Sequence, residues 1–100
     1  MTTTAAAVSR DAVEWPSLFF YNAVANYNLG RLDDAERSAT RAAGLDFPRA
    51  HYVLGRVLAA KGLPVRAAEE MSTYLKLMPN AADTERVRGE IRDMAAGTGK

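Results

Sequence analysis

From residue 16 onward the chain runs as apolar positions at helical spacing, interrupted by short polar stops. Phe20, Val24 and Tyr27 recur at i, i+4 and i+7 and so share one face of a helix. Ala, Leu, Arg and Glu are abundant and β-branched residues few, which favours helix on both sides of each stop. The first stop lies in "YNLGRLDDAE", residues 27–36. There Gly30 suits the left-handed conformation that closes a helix at its C′ position. Asp33 stands where it would cap the next helix, with Glu36 reaching back as a D-x-x-E capping box. The stretch predicts two helices and a tight turn: an antiparallel hairpin.

The same grammar returns in "AAKGLPVRAAEE", residues 59–70, with Gly62 as the stop and Pro64 in the first turn of the next helix. Aligning Gly30 with Gly62 also aligns Ala35 with Ala67 and Leu45 with Leu77, a period of 32 residues. That period points to stacked helical hairpins. Ala23 and Ala35 in the first unit, with Gly55 and Ala67 in the second, fall where paired helices cross. Side chains so small let two backbones approach to about 8 Å.

These positions resemble the tetratricopeptide (TPR) family over residues 16–79. The second unit is the closer match, with His51-Tyr52, Leu54-Gly55, Ala67, Leu77 and Pro79 at the family's spacing. The first has Phe19, Ala23, Gly30, Ala35, Ala42 and Leu45, with "LDFP" as its ending. It departs at Asn22 and Asn26, where the family has leucine and tyrosine, and the second unit departs at Tyr74, where alanine is usual. The resemblance implies an all-α fold of tandem antiparallel hairpins, a right-handed α-solenoid, with hairpins at 16–47 and 48–79.

"PNAADTERVRGEIRDMA", residues 79–95, does not continue the repeat. Val87, Ile91 and Met94 share one face, and Arg86, Arg88, Glu90, Arg92 and Asp93 the other, so 80–95 reads as a capping helix with Asn80 as N-cap. Its polar face is expected to meet water, and Tyr74 to pack on the cap. Residues 96–100 are expected to fray. Residues 1–15 read as disordered or as a short helix over 8–15, ended before Pro16, with Trp15 packed on the first hairpin. About three repeats are normally needed for stability, so the chain is expected to be the C-terminal end of a longer array or of a larger protein.

Bulk composition narrows the function more than the fold. With 100 residues, 48% hydrophobic and 25% charged, the chain fits one small domain. It has no cysteine for a disulfide or thiolate site, and its formal charge of +1 exerts no general pull toward nucleic acid. No apolar run nears the roughly 20 residues of a membrane span, and residues 1–10 are not a signal peptide as they stand. A cytoplasmic location is the expectation if Met1 is the true start.

Candidate chemistry is sparse. His51, the lone histidine, stands where the resemblance to the TPR family implies a large packing residue. Asp33-Asp34 and Glu69-Glu70 are sequence neighbours that diverge around a helix, and Ser38 and Ser72 have no base at readable spacing. No phosphate loop or metal-ligand set appears, so no cofactor, metal or catalytic role is expected. Arg86, Arg88 and Arg92 are diluted by Glu85, Glu90 and Asp93, unlike a phosphate-binding face.

What remains is a binding surface, and here the family resemblance supplies the positions. It places Ser17, Phe20, Val24, Tyr27 and Asn28, then Arg49, Tyr52, Arg56, Ala59 and Ala60, on the concave face formed by the first helix of each hairpin. The lysine-and-asparagine clamp of chaperone-binding relatives is absent, since Phe20 and Val24 occupy its places. Two arrangements fit the Phe20–Val24–Tyr27 strip. Either it is exposed, to be covered by a peptide, a second copy or residues 1–15, or the helix is rotated so that the strip joins the core and Asn22 and Asn26 turn outward. Arg49 and Arg56 beside Tyr52 would suit an acidic, hydrophobic peptide. The expectation is a non-catalytic protein–protein interaction module with Phe20, Val24, Tyr27, Asn28, Arg49, Tyr52 and Arg56 as contacts. Self-association and an accessory tail of a larger enzyme are the alternatives.

Overall fold

The backbone turns three times with one hydrogen-bond pattern. In the computed structural model, which describes residues 15–97, Gly30 N–H donates to the Tyr27 carbonyl and Arg31 N–H to that of Asn26. Gly62 and Leu63 repeat this on Ala59 and Leu58, and Asp46 and Phe47 on Ala43 and Ala42. Each is a Schellman closure, which needs a left-handed residue at C′. The φ values are 78° at Gly30, 83° at Gly62 and 65° at Asp46. The third closure uses an aspartate, one of the few side chains that tolerate that region.

The turns separate α1 (Pro16–Asn28), α2 (Leu32–Gly44), α3 (Arg49–Ala60) and α4 (Pro64–Leu77), and a longer connection leads to α5 (Thr84–Gly97). The fold is all-α, with no strand among the described residues. None of these helices is long and apolar enough to cross a membrane. Connections as short as residues 29–31 and 61–63 fold each helix back on its predecessor. Every helix packs on its chain neighbours, and α1 also reaches past α2 to α3.

The core is built from small residues at the crossings. Ala23, Ala35, Ala39, Ala42, Ala50 and Ala67 are wholly buried. The tightest approach lies between α3 and α4, where a Cβ on Gly55 would stand 2.7 Å from Met71 Cγ and 3.0 Å from the Ala67 carbonyl oxygen. Larger groups gather toward the C-terminal end. Met71, Tyr74 and Val87 form one buried cluster, with Ile91 and Met94 packed against it. Tyr74 thus packs on the last helix, and its hydroxyl donates to Asp83 Oδ1 at 2.8 Å.

Several local expectations are corrected. Asp33 does not cap α2: the first helical bond runs from Ala35 N–H to the Arg31 carbonyl, which makes Arg31 the N-cap, and Arg31 makes no side-chain capping bond. Asp33 and Glu36 instead accept hydrogen bonds from Lys61 Nζ, at 2.7 and 2.6 Å. A lysine carried in on the neighbouring hairpin outbids the backbone amides for these carboxylates. Nor does Asn80 cap the last helix. Turns occupy residues 79–80 and 82–83, Val87 N–H bonds the Asp83 carbonyl, and the helix runs to Gly97 rather than ending at 95. Trp15 is extended and 52% exposed rather than packed on the hairpin. The remaining expectations for residues 1–14 and 98–100 lie outside the described residues.

Candidate interaction surface

Three of the expected contact residues meet on one side of the molecule. Tyr27 comes from the last turn of α1, and Tyr52 and Arg56 stand one turn apart on α3. Arg56 Nη1 donates to the Tyr52 hydroxyl at 3.0 Å, and its Nη2 reaches the Tyr27 hydroxyl at 3.4 Å. The guanidinium also sits 5.8 Å from the Tyr27 ring centroid and 5.9 Å from that of Tyr52. Both distances lie within the range where a cation is drawn to an aromatic face. The hydrogen bonds to Tyr27 and Tyr52 hold Arg56 more firmly protonated than usual. Its side chain stays 42% exposed, so the charge is fixed in place yet open to contact.

The last helix completes the cluster. Tyr52 donates its hydroxyl proton to Glu90, 3.0 Å away, and accepts from Arg86 Nη1 at 2.7 Å. Arg86 lies 5.3 Å above the Tyr52 ring and bonds Glu90 at 2.8 Å and Asp83 at 3.0 Å. Two guanidinia on one tyrosine would repel each other, and the Glu90 carboxylate beside both offsets that. Asp83 in turn accepts from Tyr74, so the network runs from α1 through α3 and α5 to the core tyrosine of α4. Arg86 and Glu90 are one turn apart on the face expected to meet only water. Their spacing shows that they share a face of α5, but nothing local shows that Tyr52 waits there.

The other expected contacts are placed differently. Phe20 is half-buried and packs on Phe47, with ring centroids 5.0 Å apart. Val24 and Tyr27 are also half-buried; Asn22 is exposed, but Asn26, expected to turn outward with it, is half-buried. This is close to the rotated arrangement: fully buried Ala23 marks the deepest line of α1, and the Phe20–Val24–Tyr27 strip forms its flank. Asn22 is used internally, accepting hydrogen bonds from Ser38 and Asn26. Asn28 and Arg49 are exposed at the end of α1 and the start of α3. His51 is half-buried, its Nδ1 2.8 Å from Glu70, a pair that joins α3 to α4.

No protein-family model matches the sequence, and no curated protein or solved structure matches it significantly. The surface therefore rests on its own geometry. Two surface depressions lie elsewhere, one along α2 beside Phe19 and Arg41, the other between α4 and α5 beside Val65 and Met94. Neither includes Tyr27, Tyr52 or Arg56.

Proposed function

We propose that the chain is a non-catalytic binding module, a TPR-like pair of helical hairpins closed by α5, that offers the Tyr27–Arg56–Tyr52 surface to a protein or peptide partner. The observation that carries this reading is the Arg56 guanidinium, held between two tyrosine rings yet 42% exposed. Tyr and Arg dominate the energetic centres of protein interfaces because they give large contact area at low entropic cost. Here much of that cost is met before binding, since the arginine is already fixed by two hydroxyls. The packing of each helix on its neighbours, with α1 also touching α3, supports the solenoid layout. Arg56 and Arg86 beside Tyr52 favour a partner segment that combines carboxylates with an apolar side chain.

The test starts with affinity capture by the intact chain, followed by titration of the identified partner against Arg56→Ala and Tyr27→Ala. These side chains lie at the surface end of the network, whereas Tyr52 also packs on Tyr74 at 5.7 Å and would disturb the core. Binding is expected to weaken at least tenfold, about 1.4 kcal/mol or more, with the helical circular dichroism unchanged. A partner held equally well by both variants removes this surface as the binding site.

A further inference from the structure

The outer face of α1 is mainly apolar, and among the described residues no other helix packs on it. Leu18, Tyr21, Ala25 and Leu29 recur at spacings of three and four, so they form a stripe along one side. Leu18 is 47% exposed, Tyr21 67% and Leu29 66%, and Ala25 is exposed too. The opposite side, centred on Ala23, already packs on α2 and α3. The polar residues of α1 are Ser17, Asn22, Asn26 and Asn28, so the Leu18–Tyr21–Ala25–Leu29 line is an apolar stripe bordered by uncharged polar groups. The helix sequence, PSLFFYNAVANYN, contains no charged residue, although a quarter of the chain is charged.

We infer that this stripe is a dimerisation surface, on which α1 pairs antiparallel with α1 of a second copy about a two-fold axis. Two features select that occupant, and a third sets how tightly it is held. First, a two-fold axis near the middle of a helix sets equivalent residues close together, so a charged stripe would repel itself. This one has no charge to repel and none to select a charged partner. Second, the spacing is self-complementary. Setting Leu18 against the second copy's Leu29 brings Tyr21 beside the second copy's Ala25, and the symmetry repeats both contacts. A large ring over a methyl-sized gap is the big-on-small fit that helix crossings favour. Third, a single helix pair buries roughly 1,000 Å² or less, at the small end of specific interfaces. The dimer is therefore weak and reversible. It uses a different face from the Tyr27–Arg56–Tyr52 surface and stands independently of it.

Sedimentation of the full chain from about 1 μM to about 1 mM tests this. A reversible monomer–dimer equilibrium is expected within that range. Its Kd should change less than twofold on raising salt, because no ion pair is involved. Tyr21→Glu and Leu18→Glu alter exposed side chains and are expected to raise Kd at least tenfold with the helical signal retained, while Arg56→Ala leaves it unchanged. A monomer throughout the range, or a dimer indifferent to Tyr21→Glu, overturns the inference. So does a chain that dimerises only after Val8→Glu and Val13→Glu, since residues 1–14 would then be what covers the stripe.

Discussion

At Gly55 a single hydrogen in place of a methyl sets the distance between two helices. A Cβ there would meet the Ala67 carbonyl oxygen, which belongs to the backbone and cannot swing aside, as well as Met71 Cγ. Gly55→Ala is expected to cost about 1–3 kcal/mol through overpacking, read as a lower urea midpoint with an unchanged m value. An unchanged midpoint would mean that the crossing is looser than its geometry. The importance of Gly55 and Ala67 was legible because both are small and stand at repeat-equivalent positions. The role of Asp33 was not. A carboxylate at the start of a helix serves either the free amides or a cation delivered from elsewhere, and Lys61 arrives only when the second hairpin packs on the first. Asp46 hid for a different reason: glycine announces a left-handed turn, whereas aspartate is found in many other conformations.

Among the elements, α5 has the clearest division between what its pattern gives and what its position adds. Val87, Ile91 and Met94 are spaced for one buried face and do pack on the cluster around Met71 and Tyr74. Its polar face is only partly solvent's, because Arg86 and Glu90 engage Tyr52 on α3. Most of these polar contacts are at the surface, where each contributes about 0–1 kcal/mol, so the apolar face anchors the helix and the polar network sets its rotation. Ending the chain at Pro79 is expected to expose Tyr74 and Met71 and remove several kcal/mol of burial, at about 1.5–3 kcal/mol per large side chain. Unfolding should then lose its sharp transition, and a hydrophobic dye should bind strongly. A transition with the same midpoint would show that the two hairpins are stable without their cap. α1 offered a subtler problem. Its residues are apolar on nearly every side, so periodicity gave no unique rotation, and burial of Ala23 decided that Phe20, Val24 and Tyr27 flank the core while Leu18 and Tyr21 face outward.

For the molecule as a whole, the titrating groups bound a pH window. Lys61 bonded to Asp33 lowers the carboxyl's pKa below the usual range. A depressed carboxyl stabilises the fold above its unfolded pKa, about 3.9, and that contribution is lost as pH falls through the folded value. Burial, followed by the bond to Asp83, raises the Tyr74 hydroxyl above its ordinary pKa. A raised hydroxyl contributes stability that is complete below about pH 10 and is lost as pH rises through the folded value. Hydrogen bonds to Asp33 and Glu36 likewise raise Lys61, which adds to the same alkaline loss. Thermal midpoints are expected to be level from about pH 5 to 9 and to fall on both sides. Tyr74→Phe should lower the plateau by about 1 kcal/mol, the worth of the lost hydrogen bond, and flatten the alkaline fall. An alkaline limb identical in the variant would assign that loss to Lys61 or other groups.

Helix positions, the two glycine turns, the alanine and glycine crossings and the apolar stripe of α5 all follow from residue types at local spacing, because backbone propensity and helical periodicity act within a few residues of themselves. The rotation of α1, the capture of Asp33 and Glu36 by Lys61, and the joining of Tyr52 to Arg86 and Glu90 came from packing. Each pairs groups far apart along the chain, and a side chain with several acceptable partners takes the one that folding brings within reach.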